Sequence, residues 1–374
     1  MFVVFKRHLF IQDQSKMASR MRLPPLPTIS EIVRMHGLKA QKRLSQNYLL
    51  DMNINKKIVR AAGNITDGYV CEVGPGPGGI TRAILEQNVK ELVVVESDGR
   101  FIPSLQMLGD AGGGVMKIYH GDVLQFDMEN VFPEHISKKW DDEPPNVHVI
   151  GNLPFSVATP LLIKLLHAIS ERRGFWKHGR SKLTLTFQKE VAEDMVVRPG
   201  SRDRSRLSVM CQYLCDVRMQ FVIPGSSFVP PPKVNVGLVT FEPLKKPLIS
   251  QPFKLVEKVV RHLFAGKNKF LRKNVALLFP PDMPELTAQM IESTEVNPEI
   301  VITKVTNEEI GRLCHVYNYI CQQHPYIAQY DYRSPDSRKL VEKSRQIELE
   351  KIEKQILLGS DVPKESIISN KDNT

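Results

Sequence analysis

The sequence predicts an α/β chain, with a doubly wound, mainly parallel sheet over its first two-thirds and a smaller all-α C-terminal domain. Three observations predict it. Short apolar runs alternate with helical stretches from Tyr69 to Phe187, the rhythm of a parallel sheet covered on both faces. A glycine-rich turn, Gly74-Pro-Gly-Pro-Gly-Gly79, joins the first of those runs to the next helix. After Pro243 no strand run recurs, and the remaining stretches carry helical periodicity.

Taken in order, Thr28 or Ser30 caps a helix that carries Ile32, Val33 and Met35. A second helix covers Asn53 to Ala62. Tyr69–Val73 is a short apolar strand, Ile80–Gln87 a helix, and Glu91–Glu96 a buried strand. Val115–Tyr119, Val147–Ile150 and Leu183–Phe187 continue the sheet, with a helix over Pro160–Ile169. Gln220–Ile223 and Val236–Phe241 lie close enough in sequence to pair as an antiparallel edge around Pro230-Pro231-Pro232. Phe253–Phe264, Lys269–Leu278, Glu285–Ile291 and Asn307–Cys321 read as helices. Beyond about residue 335 the chain is highly charged and poor in aromatics, and a solvated tail is expected. The expected domains are therefore a leader over 1–27, the α/β domain over 28–245, a helical domain over 246–335 and a charged tail over 336–374.

A chain of 374 residues with 42% hydrophobic content suffices for two domains with real cores. No apolar run approaches the roughly 20 residues of a membrane span, so no membrane contact is expected. The net charge of +10 favours a polyanionic partner, because cations that neutralise phosphates release counterions. Five cysteines form no paired ladder, which fits a reducing compartment. Cys211 and Cys215, four apart, are expected on one helix face. Cys314, His315, Cys321 and His324 match no standard zinc spacing, and no metal is predicted. The first 22 residues hold Lys6, Arg7, Lys16, Arg20 and Arg22 against one acid, Asp13, the pattern of a mitochondrial presequence.

Ligands of doubly wound sheets bind at the carboxyl ends of the strands, near the switch point. Gly74, Gly76 and Gly78 let the backbone turn tightly and approach a ligand, and the next helix adds amide donors. That loop alone does not separate a dinucleotide from S-adenosylmethionine. Glu96 ends the following strand, where a carboxylate accepts from ribose hydroxyls in either ligand class. His120-Gly121-Asp122-Val123 follows the third strand, with Asp122 available to an adenine amino group. These positions recur at three successive strand ends.

Asn152-Leu-Pro-Phe155 follows the strand Val147–Ile150 through Gly151. An adenine amino group is a poor nucleophile because its lone pair is delocalised into the ring. Two acceptors aimed at its hydrogens, the Asn152 side-chain oxygen and the Leu153 or Pro154 carbonyl, favour a more tetrahedral nitrogen with no strong base needed. Phe155 offers a face on which a flipped base stacks.

Gln46-Asn47-Tyr48-Leu49, Glu72–Gly79, Glu96, Gly121-Asp122, Gly151–Phe155 and Phe228-Val-Pro-Pro-Pro-Lys-Val234 resemble, in order and spacing, the motifs of rRNA adenine N6,N6-dimethyltransferases. The resemblance covers about residues 28 to 330. The leader and Trp140-Asp-Asp-Glu-Pro-Pro-Asn146 look more particularly like mitochondrial members of that family. It implies a Rossmann-like S-adenosylmethionine-dependent methyltransferase domain, and dimethylation of two adjacent adenines in a small-subunit rRNA hairpin. It assigns Asn47, Leu49, Gly74, Glu96, Ser97, Asp122 and Asn152 to the donor, with Gly76 and Val123 beside them. Asn152, Leu153, Pro154, Phe155 and Phe228 fall at the target base. Tyr48 stands where the family usually has phenylalanine, and Ser97 where a longer polar residue is common. The implied setting is a monomer in the mitochondrial matrix, with the assembling small ribosomal subunit as partner and a further link to mitochondrial transcription machinery.

For RNA contact, Arg198, Arg202, Arg204 and Arg206 crowd a Gly-Ser loop, and Lys245 to Lys273 carries nine basic residues and one acid. RNA duplexes are read mainly by shape and phosphate contact. The competing reading is a nucleic-acid-binding factor that keeps the methylase fold without catalysis. An intact Asn152–Phe155 run and Asp122 weigh against it.

Overall fold

The computed structural model describes residues 23–35, 37 and 46–357; the presequence reading of residues 1–22 lies outside them. In chain order the elements are α1 (Ile29–Met35), β1 (Tyr48–Leu49), α2 (Met52–Ala61), β2 (Tyr69–Val73), α3 (Gly79–Leu85), β3 (Glu91–Glu96), α4 (Ile102–Ala111) and β4 (Met116–His120). They continue with β5 (Val147–Gly151), α5 (Phe155–Glu171), β6 (Lys182–Gln188), α6 (Lys189–Val196), α7 (Arg206–Gln212), β7 (Cys215–Ile223), β8 (Phe228–Val229) and β9 (Val236–Pro243). The last are α8 (Phe253–Leu263), α9 (Leu271–Val275), α10 (Pro284–Thr294), α11 (Asn307–Gln323) and α12 (Pro335–Leu357).

Two compact units emerge. The first runs through Val197 and resumes over Leu207–Pro247; the second takes Arg198–Arg206 and everything from Leu248. The junction thus falls two residues beyond the expected 245, and the arginine loop groups with the helical unit. Within that unit Gly200 N–H donates to the Thr303 carbonyl (2.8 Å).

In the first unit a seven-stranded sheet has the order β4-β3-β2-β5-β6-β9-β7. The strands from β4 to β6 are parallel, and β9 and β7 are antiparallel. Strands β2 and β5 are buried at every position, as continuous apolar runs in a two-sided parallel sheet should be. Strand β7, at one edge, alternates between exposed and covered positions. The chain leaves β2 outward through β3 and β4, then returns to β5 on the other side, so the switch point lies between β2 and β5. The register brings the strand ends level: Val73 pairs with Val95 and with Gly151, and Glu96 pairs with His120. Gly74, Glu96, Gly121-Asp122 and Asn152 therefore come out along one edge of the sheet.

Local signals explain the element starts. Thr28 accepts from the Glu31 N–H (3.2 Å), and Glu31 accepts back from the Thr28 N–H (2.8 Å), a capping box worth about 1 kcal/mol. Asp51 caps α2 by accepting from Asn53 N–H. Helix α5 starts at Phe155, five residues before the expected Pro160, which sits inside it. Cys211 and Cys215 do not share a helix face: α7 ends at Gln212, and Cys215 opens β7.

The second unit packs α8 to α11 around Val256, Val260, Met290, Ile310 and Leu313, all buried. The start of α11 is fixed by a Thr306/Glu309 capping box. The expected solvated tail is a helix from Pro335 to Leu357. It packs on the turn Pro325–Gln329, with Val341 buried and Arg345 paired with Asp282 at 3.3 Å.

Candidate functional site

A cavity opens at the switch point, where ligands of doubly wound sheets bind. Every residue assigned from the sequence to the donor or the target base lines it, with the exception of Leu49. Asn47, Gly74, Gly76, Glu96, Ser97, Asp122 and Val123 line it, together with Asn152, Leu153, Pro154, Phe155 and Phe228. Leu49 lines an adjoining recess instead, together with Asn47, Glu72, Gly74 and Asn152.

Each wall has a local cause. Gly76 adopts a positive φ of 53°, which turns its N–H onto Glu96 Oε2 (2.9 Å). Asp98 N–H donates to the other oxygen, Oε1 (2.8 Å). The buried Glu96 carboxylate is thereby oriented. Burial pushes its carboxyl up from the ordinary range, and the backbone amides of Asp98, Gly76 and Ser97 act against that. Asp122 takes the Leu124 N–H on Oδ1 (2.9 Å). Its loop is held from α5, where the Lys164 ammonium donates to the Val123, Leu124 and Phe126 carbonyls (3.2, 2.9 and 3.0 Å).

Residues 46–49 cross the pocket as a strap. Strand β1 pairs antiparallel with β8, Leu49 opposite Phe228, so the strap and the Phe228 wall support each other. Gln46 donates to Asp98 Oδ2 (2.9 Å) and accepts from the Tyr48 hydroxyl (2.8 Å). Arg100 pairs with Asp98 at 2.6 Å, and its hydrogen bonds hold the Asp98 carboxyl down at about 2. Asn55, buried in α2, anchors the far end by donating to the Leu49 carbonyl (3.2 Å).

On the other side, Asn152 Oδ1 accepts from the Thr186 hydroxyl of β6 (2.8 Å). The two candidate carbonyls differ in their hydrogen bonding. Pro154 O already accepts from Val157 and Ala158 N–H in the first turn of α5 (2.9 and 3.0 Å). The Leu153 carbonyl receives no hydrogen bond from the described residues, and it is the one left available.

Sequence reading left several contributors without a role: Gln46, Glu72, Asp98, Lys164 and Thr186. Gln46 and Glu72 stand inside quoted motifs, so position was the available signal. Asp98, Lys164 and Thr186 act through tertiary contacts that no local spacing announces. Glu72 is almost fully buried in β2, with Oε2 unpartnered by protein, and burial pushes its carboxyl up to about 8. The folded chain then keeps this proton above pH 4.5, where the unfolded chain releases it. The folded state binds more protons, so this group lowers stability progressively from about pH 4.5 to 8. Glu72→Gln removes the term. In scanning calorimetry without ligand its midpoint should exceed the native one by several degrees at pH 8 and match it near pH 4. A difference independent of pH would contradict the buried neutral carboxyl.

The RNA-facing residues divide. Arg198, Arg202 and Arg206 are exposed, but Arg204 is fully buried. Its Nη2 donates to Asn307 Oδ1 (2.8 Å) in the second unit, so it is not available to a phosphate. In the Lys245–Lys273 run, Lys258 donates to the Ile327 and Ala328 carbonyls (3.2 and 2.7 Å), and burial brings its ammonium down to about 8. Arg261 pairs with Asp331 (2.9 Å). Lys269, Arg272 and Lys273 remain exposed, next to Phe270, which is 43% exposed.

The sheet order, the glycine turn at the switch point, the oriented Glu96 and the Asn152 corner define a Rossmann-like S-adenosylmethionine-dependent methyltransferase fold. The chain belongs to the ribosomal RNA adenine dimethylase family, whose profile matches residues 37–320. The resemblance read from its motifs is borne out. It is 53% identical over 316 residues to dimethyladenosine transferase 1, mitochondrial, of Xenopus laevis, covering 84% of this chain and 92% of that one. To the Homo sapiens protein of the same name it is 52% identical over 322 residues, covering 86% and 93%. A solved dimethyladenosine transferase from Plasmodium falciparum shares the fold, with a TM-score of 0.57 and 23% identity over 72% of this chain and 96% of that one.

Proposed function

We propose that this protein dimethylates N6 of two adjacent adenines in a hairpin of mitochondrial small-subunit rRNA, with S-adenosylmethionine as methyl donor, in the mitochondrial matrix. The observation that carries the reading is the pair of acceptors at the switch point, Asn152 Oδ1 and the Leu153 carbonyl, beside a wall of Phe155 and Phe228. Family membership supports RNA adenine as the substrate. The mitochondrial names of the relatives support the compartment.

The donor side suits S-adenosylmethionine on three counts. Glu96 presents an oriented carboxylate to a ribose diol. Ser97, Asp122 and Val123 line the same cavity, where an adenine amino group would find the Asp122 carboxylate. Glu72 borders the recess beside Gly74, where a bound cationic group would favour the ionised form of its carboxyl. When bound, the donor supplies an electrophilic methyl group on a sulfonium. The chain's own residues orient and desolvate the amine. Asn152 Oδ1 and the Leu153 carbonyl accept its two N–H bonds and draw the nitrogen lone pair out of conjugation, and the proton lost on alkylation passes to solvent. Phe155 and Phe228 offer apolar faces to the flipped base. Around Phe270, the exposed Lys269, Arg272 and Lys273 form a candidate RNA grip, as do Arg198, Arg202 and Arg206.

Purified protein, given methyl-labelled S-adenosylmethionine and a small-subunit rRNA hairpin with two adjacent adenines, should label the RNA and create two adjacent primer-extension stops. A protein that binds the hairpin yet transfers no label would overturn the enzymatic reading in favour of a binding factor.

A further inference from the structure

We infer that Thr186 is a positioning residue for methyl transfer, its hydroxyl holding the Asn152 carboxamide in the plane that presents Oδ1 to the target amine. This rests on the role proposed for Asn152. Asn152 sits one residue beyond the end of β5, where no ladder bond restrains it, and a carboxamide on a loop turns freely about its last torsion. Its two ends are similar in size. Turned over, it would set N–H donors against the N–H bonds of the base, and the acceptor would be lost.

The restraint comes from the neighbouring strand. Strand β6 pairs with β5 in parallel, Gly151 opposite Leu185, which brings the next residue of each strand side by side. Thr186 is 1% exposed, and its Oγ1 lies 2.8 Å from Asn152 Oδ1. A β-branched side chain in a strand is stiff at its first torsion, so the hydroxyl points in one direction. Only one lone pair of Oδ1 is used, and the other stays available. Nothing else in the mechanism employs Thr186, which does not border the pocket.

The test uses the full chain and three variants. Thr186→Val keeps volume and branching and deletes the hydroxyl. Its kcat on the hairpin should fall by about 10- to 100-fold, the usual cost of losing a group that orients a functional side chain. KM for RNA and the S-adenosylmethionine Kd by calorimetry should stay within about threefold of native, because neither ligand is held by Thr186. Thr186→Ser restores the hydroxyl and should recover kcat to within about threefold. Native kcat in Thr186→Val, with Asn152→Ala inactive, would overturn the positioning role and leave the site intact. A Thr186→Ser variant as slow as Thr186→Val would also overturn it, since shape and not the hydroxyl would then matter. Full activity in Asn152→Ala would instead remove the site reading on which the inference rests.

Discussion

Asn152→Ala is expected to lower methyl transfer into hairpin RNA by about 10²- to 10³-fold, the cost of deleting one preorganised polar group at a reacting centre. The Leu153 carbonyl survives the change, because a backbone acceptor is untouched by side-chain truncation. One acceptor cannot hold both N–H bonds of the amine, and the nitrogen stays closer to planar and less nucleophilic. Donor binding should remain largely intact, since Glu96, Asp122 and the glycine turn keep their own supports: two amides on Glu96, and Lys164 on the Asp122 loop. Label incorporation reports the first quantity and calorimetric titration with S-adenosylmethionine the second. Native incorporation by a folded variant would take Asn152 out of the role. Loss of donor binding together with transfer would make it a donor ligand first.

The strand ends were legible because a buried parallel strand reads as an unbroken apolar run and its ligand-facing exit as glycine, asparagine or an acid. Glu72–Gly79, Glu96, Asp122 and Asn152 all followed from that one regularity, and the register of β2, β3 and β5 explains why they meet. Which carbonyl serves as second acceptor was not legible. It depends on α5 starting at Phe155, whose first turn uses Pro154 O and leaves Leu153 O. Pro160 obscured that start, because proline usually opens a helix, and here it occupies the second turn.

Charge was the least informative signal in detail. A run of cations predicts a partner of opposite sign, but not which members face it. Arg204 and Lys258 carry the same formal charge as Arg202 and Lys269, yet both turn inward to cap carbonyl or carboxamide oxygens. Similarly, α12 looked too polar to pack, and it docks through Val341 and Ser337 with its charges left outside. Composition averages over a helix, whereas burial needs only one stripe.

Gly74→Val should abolish donor binding, and the reason lies across the pocket. Gly74 has φ of +68°, and a Cβ there would meet Leu153 Cδ2 at 2.4 Å. The backbone strain alone costs about 1–2 kcal/mol for a non-glycine residue in the left-handed region, too little to unfold a two-unit protein. The collision matters more. The atom met is a terminal methyl of Leu153, a residue 8% exposed that lines the same cavity as Gly74, so that methyl has to swing aside and the γ-carbons of valine add to the crowding of the cavity wall. Gly74 and Leu153 line the same cavity, so the added isopropyl group intrudes where the donor is proposed to bind. Gly114→Ala separates the two effects. Gly114 has φ of +79° and nothing within 4 Å of an added Cβ, so it carries comparable strain without a collision and lies outside the pocket. Gly114→Ala should lose a few degrees in thermal midpoint, and Gly74→Val more, because valine is β-branched at positive φ and meets Leu153 as well. Calorimetry should find S-adenosylmethionine binding within about threefold of native in Gly114→Ala and no measurable heat in Gly74→Val. Equal binding in the two would mean that the contact between Gly74 and Leu153 is incidental to the site.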